Sequence, residues 1–92
     1  MRIKIKALRP FKEALGAGEL ELERPVGETV EGLIRHLIEE HPAFGPHALD
    51  EMGGIDVTLN IMVSGKPIGE NDLAWPLQEG DEVMLFMPLA GG

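Results

Sequence analysis

Thr29-Val30-Glu31-Gly32-Leu33-Ile34-Arg35-His36-Leu37-Ile38 is the stretch in which the apolar residues of this chain take up helical spacing. Val30, Leu33, Ile34, Leu37 and Ile38 fall at i, i+3, i+4, i+7 and i+8, the single apolar face of an amphipathic helix. Thr29 is suited to cap it, because a hydroxyl there accepts one of the amide hydrogens that the first turn leaves unpaired. Gly32 costs such a helix about 1 kcal/mol relative to alanine, and its place beside the stripe permits close approach to a sheet. His41 falls near the C-terminal end, where a protonated imidazole suits the helix dipole, and Pro42 stops the helix.

On both sides of this helix the period is two. Ile3, Ile5 and Ala7 alternate with Arg2, Lys4, Lys6 and Leu8, which is the pattern of a half-buried strand. A turn-like stretch from Pro10 to Gly18 leads to Glu19-Leu20-Glu21-Leu22-Glu23, so a hairpin is expected. Lys4 and Lys6 then face water beside Glu19, Glu21 and Glu23, where each cross-strand pair contributes roughly 0.2–1 kcal/mol. Residues 43 to 56 hold Gly45, Pro46, Gly53 and Gly54 without a sustained period and read as a loop with one helical turn. Val57, Leu59, Ile61 and Val63 alternate with Thr58, Asn60 and Met62 as a third strand, closed by the turn residues Ser64-Gly65-Lys66-Pro67, with a short edge segment near Ile68. From Asn71 to Leu77 an irregular or 3₁₀ connection delivers Leu73 and Leu77 to the core, with Trp75 beside them. Glu79-Gly80-Asp81 turns into the last strand, Glu82-Val83-Met84-Leu85-Phe86-Met87. This order specifies an α+β fold: a mixed four- to five-stranded sheet with one main helix on the face of Ile3, Leu22, Leu59 and Leu85.

Composition narrows the function. Ninety-two residues, 43% of them hydrophobic, make one domain over 1–92, with residues 88–92 as an extended tail. No apolar run approaches the roughly 18 residues of a membrane span, and the start reads as a strand rather than a signal sequence, so a cytoplasmic protein is expected. A formal charge of −8 repels a phosphate backbone and argues against nucleic-acid binding. The chain has no cysteine, which removes disulfides, thiolate metal sites and cysteine nucleophiles together. His36, His41 and His47 lack the spacing of helical zinc pairs, and there is no phosphate loop, nucleophile elbow or tyrosine. The chain is expected to have no catalytic residue, metal or cofactor of its own.

The last residues, Pro88-Leu89-Ala90-Gly91-Gly92, carry the strongest functional signal. Two residues without side chains can thread a groove too narrow for any other pair and place the Gly92 carboxylate inside a partner's active site, while taken alone the same pair also fits a floppy terminus. Pro88 has no amide hydrogen and pushes Met87 away from helical angles, so strand pairing should stop there and leave the tail extended. The internal Gly53-Gly54 pair lacks a free carboxylate and reads as a turn.

Leu77-Gln78-Glu79-Gly80-Asp81-Glu82-Val83 and the Pro88-to-Gly92 end resemble those of the MoaD family, the small subunit of molybdopterin synthase within the MoaD/ThiS superfamily of ubiquitin-like sulfur carriers. Weaker echoes are the helix start Glu28-Thr29-Val30, Phe11 to Gly16, and Asn60. Met87-Pro88 replaces the family's usual two prolines. The long loop from Phe44 to Asp56 resembles MoaD-like proteins that include archaeal-type protein modifiers. The resemblance implies a β-grasp fold and a Gly92 carboxylate that an E1-like adenylyltransferase of the MoeB type activates with ATP. A sulfur donor such as a cysteine desulfurase or rhodanese then gives the thiocarboxylate, which a MoaE-type large subunit uses to build molybdopterin. Pro88, Leu89, Ala90 and Gly91 are implied to form the tail that inserts into the partner's active site, and ATP and magnesium to belong to the activating enzyme. Thiazole synthesis and tRNA thiolation share the terminal chemistry. A protein modifier that forms isopeptide bonds through Gly92, and a binding module with an inert tail, are the other readings.

Alternation adds a docking surface. If Val83 and Leu85 face the helix, Met84, Phe86 and, on the neighbouring strand, Met62 lie on the open face, unless a loop covers them. Such apolar patches mark docking sites, and methionine adapts to several partners. Phe86 also matches, by its distance from the terminus, an aromatic position that the family uses against its activating enzyme.

Overall fold

The helical stretch begins where its capping chemistry places it. In the computed structural model, which describes residues 1–87, the Thr29 hydroxyl accepts a hydrogen bond from the Gly32 amide at 3.1 Å and opens the main helix, here α2, Val30–Glu40. His41 closes it, its amide donating to the Leu37 carbonyl at 2.8 Å. Gly32 serves a nearer purpose than approach to the sheet. A side chain there would come within 3.3 Å of the Glu28 carboxylate and 3.4 Å of the Thr29 hydroxyl, so glycine keeps room for the cap and for Glu28. Glu28 in turn takes a bidentate grip from Arg24, with contacts of 2.9–3.1 Å, that ties the incoming chain to the first turn.

Five strands form one sheet in the order β2-β1-β5-β3-β4: β1 is Arg2–Ala7, β2 Glu19–Glu23, β3 Asn60–Val63, β4 Lys66–Ile68 and β5 Glu82–Phe86. β1 runs parallel to β5, and the other neighbours are antiparallel. Ile3, Ile5, Val83, Leu85, Ile61 and Val63 are buried beneath Val30, Leu33, Ile34 and Leu37 of α2, which is the mixed sheet under one main helix that the periodicities specify. The fold is the ubiquitin-like β-grasp. Leu20 and Leu22 on the edge strand β2 are only partly buried against the same core. The expected charge zipper is present: Lys4 stands opposite Glu21, and Lys6 lies 3.8 Å from Glu19 and 3.6 Å from Glu82.

Four local expectations need correction. The Pro10-to-Gly18 stretch is not a simple turn but holds a short helix, α1 (Phe11–Leu15), whose Phe11 and Leu15 are buried and whose end is closed by Gly16 in the left-handed region. The 43-to-56 segment holds two helical turns rather than one, a 3₁₀ turn at Pro42–Phe44 and α3 at Gly45–Ala48. Their purpose is packing, since Phe44 is fully buried with its ring edge-on to Phe11 at 5.8 Å. β3 starts at Asn60, and Val57 lies outside it, 71% exposed. Trp75 is not in the core: it is 39% exposed and carries the Lys66 ammonium 4.6 Å above its ring, while Leu77 is buried and Leu73 partly so. Periodicity reports faces of regular elements, and these three short helical segments are too brief to show one.

The buried loop residue gives a direct check. Phe44→Ala should lose about 3–5 kcal/mol of stability in urea unfolding, as large aromatic truncations in cores do. Val57→Ala should stay within about 0.5 kcal/mol. The reverse ranking would show that the loop does not pack as described.

Candidate functional site

The site is built on the strand at the centre of the sheet. β5 is flanked by β1 and β3, and beyond the β1–β5 ladder the Leu8 amide donates to the Leu85 carbonyl at 3.0 Å. On the other side Asn60 stands opposite Phe86. Phe86 therefore sits at the end of β5 between the Leu8-Arg9 segment and the start of β3. Met87 follows, partly exposed. Pro88, Leu89, Ala90, Gly91 and Gly92, which the sequence assigns to the reactive tail, lie outside the described residues.

The expected open-face residues do come together. Val83 and Leu85 point into the core, so Met84 and Phe86 take the opposite face, where both are half-buried. Met84 is in register with Met62 on β3 and with Lys6 on β1, and Pro67 stands opposite Met62. Lys6, Met84, Met62 and Pro67 thus form one row across four strands. The row is apolar on the β3–β4 side and charged on the β1–β2 side. Lys6, bridging Glu19 and Glu82, marks the boundary.

At the far end of the sheet the turns are locked together. The β3–β4 turn uses Ser64 and Gly65 at φ 46° and 87°, the paired left-handed geometry of a tight hairpin. The Ser64 hydroxyl donates to Asp81 at 2.9 Å, and the other Asp81 oxygen accepts from the Gln78 amide at 2.8 Å. These bonds explain the Gly80-Asp81 pair on which part of the resemblance rests: Gly80 supplies φ 83°, and Asp81 ties the turn to β3–β4.

Asp56 is a structural residue that periodicity missed. One of its oxygens accepts from the Thr58 backbone amide at 2.8 Å and from the Thr58 hydroxyl at 2.7 Å, which holds its carboxyl below the ordinary value. The Asp-x-Thr spacing, typical of such local turns, is the signal that reveals it. Asp56 directs the chain into β3 and so helps to place Asn60 and Met62. Among the described residues no group of three His, Asp or Glu side chains is arranged to hold a metal, and no helix is long and apolar enough to cross a membrane. His47 packs edge-on to Phe11 at 6.2 Å.

Residues 6–92 match the ThiS family. The chain belongs to that family. Its fold and that match put it among ubiquitin-like sulfur carriers and modifiers. It is 25% identical over 93 residues to small archaeal modifier protein 3 of Haloferax volcanii, covering all of both chains. The crystal structure of SAMP1 from Haloferax volcanii superposes with a TM-score of 0.87 at 23% identity, covering all of both chains. A putative molybdopterin converting factor, subunit 1, from Pyrococcus furiosus superposes with a TM-score of 0.77 at 28% identity, over 97% of this chain and 99% of that one.

Asp56 yields a pH test. Its carboxyl is depressed in the folded protein, so its stabilising effect is full above the unfolded value of about 3.9 and is lost as pH falls through the lower folded value. Asp56→Asn should therefore be less stable than the natural chain at neutral pH, with the two denaturation midpoints converging in acid below about pH 4. A gap that is constant across that range would rule out the charged carboxylate as the cause.

Proposed function

We propose that this chain is a sulfur carrier whose Gly92 carboxylate is the reacting group. An E1-like adenylyltransferase of the MoeB type joins that carboxylate to the AMP portion of ATP, with release of pyrophosphate. Sulfide, released from the persulfide of a donor such as a cysteine desulfurase or rhodanese by two thiols that are oxidised to a disulfide, then attacks the carbonyl carbon. AMP leaves with one of the original oxygens, and the thiocarboxylate remains. The observation that carries this reading is the family match, which continues through residue 92 and so includes Gly91 and Gly92. The folded body contributes binding surface, and ATP and magnesium act within the activating enzyme.

For the destination of the sulfur we favour molybdopterin, with this chain as the small subunit beside a MoaE-type large subunit. The support is the similarity in sequence and structure to the Pyrococcus furiosus protein named for molybdopterin conversion. A second reading has its own support. The full-length similarity to small archaeal modifier protein 3 favours a modifier that joins Gly92 to lysine amines. Both routes begin with the same adenylate and separate at the nucleophile, sulfide in one and an amine in the other.

Intact-mass analysis after incubation with an E1-like enzyme, ATP and a sulfide source tests the carrier reading. One oxygen should be exchanged for sulfur, and deletion of Gly92 should abolish the exchange. Conjugates on other proteins without any thiocarboxylate would favour the modifier. For the docking face, Phe86→Ala should weaken binding to the E1-like enzyme by about tenfold, as loss of an aromatic anchor does, with little change in melting temperature. A fall in stability as large as the fall in binding would instead make Phe86 a core residue.

A further inference from the structure

The charge of this chain is divided unevenly along its length. Arg2, Lys4, Lys6, Arg9 and Lys12 are five of its eight cationic side chains and fall in the first twelve residues, which contain no acid; the rest carries all sixteen acids. Two of the five pair with acids on the sheet, and a third stands opposite two acids in the strand register. Arg2 lies 3.4 Å from Glu23, Lys6 lies between Glu19 and Glu82, and Lys4 is in register with Glu21 and Glu82. Arg9 and Lys12 are placed differently, past the end of β1.

The Leu8–Leu85 hydrogen bond brings that segment beside the end of β5, the strand that leads into residues 88–92. The Arg9 side chain is 87% exposed, and its one acidic partner among the described residues is the exposed Glu13, at 3.2 Å. The Lys12 stem lies against Gly18, whose added Cβ would stand 3.6 Å from Lys12 Cδ and Cε. That contact lays the side-chain stem along the turn between α1 and β2. Arg9, Lys12, Glu13, Gly16 and Ala17 line a shallow dish of about 250 Å³ there. On a protein of charge −8, this end is locally cationic.

We infer that Arg9 and Lys12 form a cationic lip that docks against aspartate and glutamate side chains on the rim of the protein that receives the Gly92 end. This rests on the carrier reading, because it takes the receiving protein to be the E1-like adenylyltransferase. Charge complementarity selects the occupant. A strongly acidic chain is repelled by a carboxylate-lined rim in most orientations, and only the end that presents Arg9 and Lys12 is attracted. That end is also the one from which the reacting residues follow. Attraction and productive orientation then coincide, and rim charges of this kind act mainly on association rate and its salt dependence.

The test compares two doubly substituted full-length chains of equal net charge. Arg9→Glu with Lys12→Glu reverses the lip. Arg35→Glu with Lys66→Glu makes the same change on the exposed face of α2 and at the other end of the sheet. Association with the E1-like adenylyltransferase in the presence of ATP is followed by stopped flow at low and high salt, with melting temperatures recorded for each chain. The lip variant should associate at least tenfold more slowly than the natural chain at low salt and converge with it at high salt, while the control stays within about threefold. Equal slowing of both variants, or a lip variant that associates as fast as the natural chain, would overturn the inference while leaving the carrier reading intact. A natural chain that is neither bound nor adenylated would sink the carrier reading, and this inference with it.

Discussion

The hydrogen-bonded ladders on both sides of β5 are the constraint on which the rest depends. The last strand among the described residues is also the middle strand of the sheet, held parallel by β1 and antiparallel by β3, with Val83 and Leu85 fully buried under α2. A central strand is the part of a small domain that opens last, because opening it breaks two ladders and exposes the core together. Whatever follows Phe86 therefore starts from a fixed point. The position of that point, between the Leu8-Arg9 segment and Asn60, decides which surfaces a partner meets when it takes up the end of the chain.

The faces of the sheet divide the work. The side under α2 is apolar and closed by three helical pieces, with Phe11 and Phe44 meeting edge to face where the loop crosses. The other side is a charge zipper over β1 and β2 and a small apolar field of Met62, Met84, Phe86 and Pro67 over β5, β3 and β4. The surface ion pairs contribute little to stability individually, typically below about 1 kcal/mol, so their consequence lies in where they leave charge unbalanced. Past the end of β1 stand Arg9, paired with the exposed Glu13, and Lys12, and the Leu8–Leu85 hydrogen bond brings that segment beside the β5 end of the apolar field. An interface with an apolar centre and a charged rim on one side is thus laid out around the end of β5.

Much of this was legible in the sequence, for identifiable reasons. β1, β2, α2 and β5 each run long enough to display a period, and Thr29 and Pro42 mark the helix ends by chemistry that does not depend on tertiary context. The open-face positions of Met62, Met84 and Phe86 followed from alternation alone, because a one-residue shift in β5 would have put charged Glu82 in the core. What escaped was carried by single contacts. Phe44 lies in a stretch without period and is buried because Phe11 and α2 leave a space for it. Asp56 redirects the chain through one side chain, which cut the expected third strand short at Asn60. Trp75 looks like a core residue by type, yet it lies at the surface with the Lys66 ammonium over its ring. The charge division between Arg9, Lys12 and the rest is visible in the sequence, yet its place beside β5 required the parallel ladder.

The fold is thus read as a rigid handle for a reacting end. The measurement that bears most directly on this division of labour is ATP–pyrophosphate exchange by the E1-like enzyme, supplied with the natural chain or with one extended by a single alanine beyond Gly92. The extended chain should support no exchange, while its amide spectrum over residues 1–87 stays unchanged. Exchange at the natural rate with the extended chain would contradict the assignment of the reaction to the Gly92 carboxylate.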